Sequence, residues 1–121
     1  MIFSKATFSL QSNGKKSTIE KRDFLDNTLS IWNFSAVSAR SIGHPAPFPI
    51  ELPHRLIQLY SFKNDVILDP FCGSGSTCLA ALKNERKYVG YDTVKEYVEL
   101  TNKRVLKYLN DISQESLNFK K

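Results

Sequence analysis

The 121-residue sequence predicts an α/β fold of parallel strands with flanking helices, preceded by an irregular N-terminal segment. Three observations carry this expectation. The apolar run Asp65-Val66-Ile67-Leu68-Asp69 opens almost directly onto Gly73-Ser74-Gly75, the stretch after Gly75 is rich in Ala and Leu, and a second short run, Lys87-Tyr88-Val89-Gly90-Tyr91-Asp92, ends on an acid. Strand, glycine loop, helix and strand in that order describe a parallel pair, because parallel strands need a crossover connection that is usually helical.

In chain order, residues 5–22 are polar, with Ser, Thr, Asn and Lys around Asn13-Gly14, a dipeptide that favours a tight turn between extended arms, so a hairpin is expected there. The texture then becomes proline-rich. In Gly43-His44-Pro45-Ala46-Pro47-Phe48-Pro49 the alternate prolines fix φ and disfavour helix at the residues before them, which predicts an extended, stiff backbone. Residues 51–62 then read as a helix with Leu52, Leu56, Leu59, Tyr60 and Phe62 near one face, and Pro53 fits its first turn, where a missing amide matters little. Residues 65–69 read as a buried parallel strand, 76–83 as a helix stopped by Asn84, and 87–92 as a second strand. Residues 94–109 read as a last helix with Val98, Thr101, Val105 and Leu109 along one face. The unit is βαβα.

Composition narrows the function classes. Hydrophobic residues at 41% and charged residues at 24% are those of a globular chain with one modest core. The net charge of +5 favours polyanionic partners. With only Cys72 and Cys78 and no secretory signal, a disulfide scaffold is not expected and a reducing cytoplasm is the default. No apolar run approaches the roughly 20 residues a membrane helix needs, so no membrane role is expected.

Gly73 and Gly75 permit unusual φ and close backbone approach, and a helix starting near Ser76 offers unpaired amides and the positive end of its dipole. A ligand carrying a carboxylate suits such a site. Asp92, seventeen residues past Gly75 at the end of the next strand, is placed to accept hydrogen bonds from ribose hydroxyls. Together these features imply an adenosine-type cofactor. A dinucleotide fingerprint fits poorly, because Cys78 stands where a third small residue would allow tight helix–strand packing, and no lysine follows Gly75 as a nucleotide-hydrolysing phosphate loop requires.

Asp69-Pro70-Phe71-Cys72-Gly73-Ser74-Gly75-Ser76-Thr77 resembles the cofactor loop Asp-Pro-Phe-x-Gly-Ser-Gly-Thr-Thr of the β-class DNA N6-adenine and N4-cytosine methyltransferases of bacterial restriction-modification systems. The preceding His44-Pro45-Ala46-Pro47-Phe48-Pro49-Ile50-Glu51-Leu52-Pro53-His54-Arg55-Leu56-Ile57 is similar to that family's proline segment, and Gly90-Tyr91-Asp92 follows in the family's order. Trp32 looks like its Trp lead-in. The likeness covers roughly two-thirds of the chain, residues 29–106. It implies a partial Rossmann-like methyltransferase fold with S-adenosyl-L-methionine as cofactor and duplex DNA as substrate, in residues 31–121. Residues 1–30 would then be the end of a target-recognition region.

Carried over by position, the resemblance places Phe71, Gly73 and Gly75 in the cofactor loop, with Cys72 and Ser74 between them, Pro70 just ahead of them and Asp69 near the methionine end. Asp92 would hold the ribose, and Tyr91 would flank the adenine. His44, Pro45, Ala46, Pro47 and Phe48 would line the other side of the methionine moiety. Ser76, a conservative departure from the family's Thr, and Thr77 would cap the helix and touch the carboxylate. Lys15, Lys16, Lys21 and Arg22 would contact DNA phosphates at the end of the recognition region.

Plainer readings stand beside these. His44, His54, Cys72 and Cys78 lack the spacing of a zinc site. Cys72 follows Phe71 rather than the proline that precedes a cytosine-C5 nucleophile, so it reads as a small loop residue. His54 reads as a packing residue, most tyrosines as core or rim, and Lys103, Arg104 and Lys107 as a solvated helix face. The Ser/Asp/Asn-Pro-Pro-aromatic loop with which amino-methyltransferases hold an extruded base does not occur in the sequence. The chain therefore reads as a C-terminal half: a subunit of a split enzyme, a truncated remnant, or a piece of a longer protein. A half sheet exposes a pairing edge, so a complementary methyltransferase half or a second copy is expected as partner, and a cognate restriction endonuclease system is a further implied associate.

Overall fold

The computed structural model describes residues 11–35, 38–42 and 47–118. Their order is α1 (Lys21–Asn27), α2 (Ala39–Ile42), α3 (Glu51–Tyr60), β1 (Val66–Asp69), α4 (Ser76–Lys83), β2 (Lys87–Gly90) and α5 (Lys95–Asn118). β1 and β2 pair in parallel, with Ile67 opposite Tyr88 and Leu68 opposite Val89. The helix between them, α4, is the crossover, and the α/β expectation holds.

Packing centres on α4. Cys78, Ala80 and Ala81 are fully enclosed, and their small side chains let neighbouring elements come close. One cluster joins Cys72, Cys78, Leu79 and Val105 with Ile50, Leu82, Tyr88 and Tyr108, tying α5 to α4. A second joins Ile57, Ala80 and Ala81 with Ile50, Ile67 and Tyr88, tying α3 and the sheet to α4. Asn84 ends the helix as expected: its side chain donates to the Ala80 carbonyl at 2.7 Å and to His54 Nδ1 at 2.9 Å. His54 is thus a packing residue.

The strands differ from expectation in burial. Helices cover the face carrying Ile67 and Tyr88, while on the opposite face Val66 and Leu68 are 60% and 62% exposed. An apolar run in a parallel strand implies cover on both faces, and among the described residues only one face has it. The inward stripe of α3 is also rotated from expectation: Pro53 and Ile57, one turn apart, are buried, whereas Leu56 and Tyr60 are exposed. The cause is again one-sided packing, because α3 lies on α4 through the Pro53–Ile57 line and leaves its other apolar side open. A groove of about 350 Å³ lined by Leu56, Tyr60, Ile67 and Leu68 runs between α3 and β1. α5 continues past residue 109 to Asn118, beyond the last residue it packs on, and Leu109 is exposed.

In the N-terminal segment the Asn13-Gly14 turn forms as expected, with φ of 46° and 80° and a hydrogen bond from Lys15 N to Ser12 O of 2.8 Å. The first arm of the expected hairpin, residues 1–10, lies outside the described residues, and the second runs irregularly into α1. Lys21 and Arg22 are therefore helical. Arg86, almost fully buried ahead of β2, ties this segment down. Its guanidinium donates to Ser61 Oγ at 3.0 Å, to the Ser61 carbonyl at 2.7 Å, and to Thr18 Oγ1. Burial pulls its pKa below the ordinary arginine value, with Asp65 and Glu85 acting in the opposite sense.

Candidate functional site

The loop from β1 to α4 is built almost entirely of backbone, held from several sides. Asp69 Oδ1 accepts the Phe71 amide at 3.0 Å, which turns the chain out of β1. Across the strand ends, Tyr91 N donates to Asp69 O (2.9 Å) and Cys72 N to Tyr91 O (2.8 Å), and within the loop Gly75 N donates to Cys72 O (2.7 Å). Gly73 and Gly75 take positive φ, 51° and 79°, conformations that a side chain disfavours. At Gly75 space is closed as well, since a Cβ there would lie 2.7 Å from Thr101 Oγ1.

The Asp92 carboxylate stands at the centre of this arrangement. Its Oδ2 accepts the Gly73 amide and its Oδ1 the Val94 amide, each at 2.9 Å. The acid thus joins the glycine loop to the chain entering α5. A carboxylate oxygen accepts more than one hydrogen bond, so this bracing leaves capacity for a ligand hydroxyl.

Gly75 is the N-cap of α4 and supplies no side-chain hydrogen bond to it. This corrects the expected capping by Ser76 and Thr77: the Ser76 hydroxyl donates instead to the Phe48 carbonyl at 3.1 Å. The physical reason is that the left-handed glycine already starts the helix, leaving Ser76 inside its first turn. The same bond brings the proline segment beside the loop, with Pro47 half-buried and Phe48 at its surface. His44, Pro45 and Ala46 lie outside the described residues. The rings of Phe71 and Tyr91 are 78% and 61% exposed at the carboxyl ends of the two strands, whereas Ser74 is buried and Thr77 half-buried.

Cys72 and Cys78 are both buried and unbridged. Burial raises the Cys72 thiol above its ordinary pKa, and Cys78, enclosed and beside Cys72, is pushed up to about 12. Neither is a thiolate at neutral pH, so nucleophilic chemistry at Cys72 has no support. Both thiols pack under Gly90, where a Cβ would meet Cys78 Sγ at 3.0 Å and Cys72 Sγ at 3.2 Å.

Two loop contacts come from residues whose role the sequence did not disclose. Thr101 Oγ1 donates to the Gly73 carbonyl at 3.0 Å, and Arg104 Nη1 donates to the Ser74 carbonyl. Arg104 is half-buried, and burial lowers its pKa, which corrects its assignment to a solvated face. The one signal available was a hydroxyl at Thr101 in an otherwise apolar stripe.

The basic residues fall elsewhere. Lys15 pairs with Asp65, just ahead of β1, and Lys16 O accepts the Lys63 amide at 3.0 Å. α1, which carries Lys21 and Arg22, adjoins Leu59 and Tyr60 in the last turn of α3. These positions lie toward the amino end of β1, about 13 Å of strand from the glycine loop at its carboxyl end. The structure does not bring the four cations to the loop.

Known proteins resemble the chain in sequence and in fold. It is 43% identical over 75 residues to the type II methyltransferase M.BglI of Bacillus subtilis, covering 62% of this chain and 21% of that protein. It is 33% identical over 106 residues to the orphan methyltransferase M.BamHII of Bacillus amyloliquefaciens, covering 80% of this chain and 40% of that one. A putative DNA modification methylase from Thermus thermophilus, solved in complex with S-adenosyl-L-methionine, superposes with a TM-score of 0.64 at 35% identity over 84% of this chain and 39% of its own. The chain thus spans two-fifths or less of the length of these relatives. The family model described as DNA methylase, of the N6/N4 type, matches residues 2–103, and the chain belongs to that family.

Proposed function

We propose that this chain is the S-adenosyl-L-methionine-binding, C-terminal portion of a DNA methyltransferase acting on adenine N6 or cytosine N4, completed by a segment that supplies the Pro-Pro-aromatic loop. The observation that carries the reading is the Asp92 carboxylate on the Gly73 amide. It sets a glycine loop, a helix start and a ribose-type acid side by side, and the superposable Thermus methylase is solved with that cofactor.

In this reading the first amides of α4, at the positive end of its dipole, receive the cofactor's carboxylate beside Ser76 and Thr77. Asp92 accepts from the ribose hydroxyls while keeping its hold on Gly73. The exposed Tyr91 ring flanks the adenine, Phe71 closes the loop side, and Asp69 lies near the methionine end. Pro47 and Phe48, brought beside the loop by the Ser76 hydroxyl, line the opposite wall. The bound cofactor supplies a sulfonium-activated methyl group, and this chain's residues contribute binding and orientation, the main terms when the leaving group is already good.

The completing segment is inferred from what is uncovered. β1 and β2 form a two-stranded sheet, open among the described residues at both edges and on the Val66–Leu68 face. A two-stranded sheet is marginal by itself, and no Pro-Pro dipeptide exists in the chain. A complementary methyltransferase half, placing a strand along β1 and apolar side chains over Leu56, Tyr60 and Leu68, answers both deficits. The system's duplex DNA and any cognate endonuclease would engage the completed enzyme.

Calorimetric titration of the full chain with S-adenosyl-L-methionine tests the cofactor half of the proposal. Wild type should bind and Asp92→Ala should lose most of its affinity, whereas equal binding by both would remove the ribose assignment. Transfer of labelled methyl to duplex DNA tests the rest: activity should appear only when a Pro-Pro-aromatic half is added. The absent tetrapeptide also favours a second reading, an inert remnant that only binds DNA or protein, and activity on complementation would exclude it.

A further inference from the structure

We propose that Thr101 and Arg104 of α5 are positioning residues for the cofactor loop, turning the Gly73 and Ser74 carbonyls away from the ligand so that the intervening amide faces it. The inference rests on the reading of the loop as the S-adenosyl-L-methionine site. It starts from a buried hydroxyl in the wrong company: Thr101 is almost fully enclosed between Val98 and Val105 on the packed face of α5, where a polar group is retained only with a partner. Its partner is the Gly73 carbonyl, at 3.0 Å.

The amide of the same glycine is held by Asp92 at 2.9 Å, so Gly73 is gripped at both its donor and its acceptor. The next carbonyl, of Ser74, receives Arg104. A trans peptide sets its C=O and N–H in opposite directions, and the described chain has no cis bond. A Gly73 carbonyl directed at α5 therefore aims the Ser74 amide to the far side of the loop. Left unheld, a carbonyl at either position could rotate toward the ligand and present a negative dipole to an incoming carboxylate. Thr101 also fills the space behind Gly75, whose missing side chain lets α5 approach that closely. α5 thus acts on the ligand through the loop without touching it.

Thr101→Val keeps the shape and removes the hydroxyl, and Thr101→Ser keeps the hydroxyl. Arg104→Met removes the charge-assisted donor while keeping much of the stem. Val105→Ala is the control, a truncation in the apolar cluster on the same helix that removes no hydrogen bond to the loop. With all proteins folded at the assay temperature, Thr101→Val and Arg104→Met should each weaken S-adenosyl-L-methionine binding by about tenfold, the scale of one net hydrogen bond. Thr101→Ser should stay close to wild type, and Val105→Ala should lower Tm without changing affinity. Amide exchange at Ser74 should accelerate in Thr101→Val and recover in Thr101→Ser. Unchanged affinity in Thr101→Val, or an equal loss in Val105→Ala, overturns the positioning role while leaving the cofactor site standing. Failure of wild type to bind overturns the cofactor reading itself, and this role with it.

Discussion

At Gly75 two independent constraints meet, a φ of 79° and a Thr101 side chain that leaves no room for a Cβ. Gly75→Ala therefore combines a left-handed alanine with local overpacking, and a loss of about 2–3 kcal/mol is expected from the two together. Urea unfolding measures it. Adding Thr101→Ala to that variant should recover part of the loss, because residues in contact couple, and strict additivity would show that the contact is unimportant. The cysteines make a different residue-scale case. Cys78 is fully enclosed with its thiol at about 12, and Cys72 is raised in the same direction by burial. A thiol reagent at mildly alkaline pH should label neither in the native protein and both in denaturant. Rapid native labelling of Cys72 would mean that the loop opens far more readily than its hydrogen bonds indicate.

Between elements, the Asn13-Gly14 turn is fastened to the start of β1 through Lys15 and Asp65. Burial alone would raise the Asp65 carboxyl, but its bonds to Lys15 and to the Phe62 amide outweigh this and hold it below the usual carboxylate pKa. A folded-state pKa below the unfolded one contributes stability that is present above the unfolded value, near 4, and is lost as pH falls through the folded value. Lys15 is half-exposed, so screening limits its share to about 0.5 kcal/mol. The difference in stability between wild type and Lys15→Met should be visible at neutral pH and vanish in strong acid, once the carboxyl is protonated in both states, as paired denaturation curves would show; a difference independent of pH would assign it to packing. That turn was legible in the sequence because Asn-Gly is suited to two successive positive φ angles. The β1–α4–β2–α5 order was legible for a similar reason, since each element carries its own period and stop. α1 and α2 were not, because short polar helices depend on what they pack against. Arg104 was hidden in a basic run with Lys103 and Lys107, and only the approach of α5 to the loop separates it from them. The rotation of α3 was hidden for the converse reason: its apolar residues span more than one face, and the neighbouring helix decides which of them is buried.

For the whole molecule, the decisive feature is asymmetric cover. α3, α4 and α5 build two small clusters against one side of a two-stranded sheet, while Val66, Leu68, Leu56 and Tyr60 line a surface that a complete α/β domain would cover. Because Leu68 is already exposed, Leu68→Glu removes little native packing and should leave stability within about 0.5 kcal/mol of wild type. Its effect should fall on association. At concentrations on the order of tens of micromolar, where exposed strand edges pair, wild type should self-associate in sedimentation velocity, whereas Leu68→Glu should stay monomeric. Under the proposed function, the same variant should fail to restore methyl transfer with a complementary half while keeping its S-adenosyl-L-methionine affinity, since of the residues lining the groove Asp69 and Thr77 belong to the loop and Leu68 does not. If instead Leu68→Glu supports full activity, the complement does not dock along β1, and the open face has another occupant. If it loses cofactor affinity as well, the groove and the cofactor site are one cooperative unit, coupled through Asp69 and Thr77, which line both.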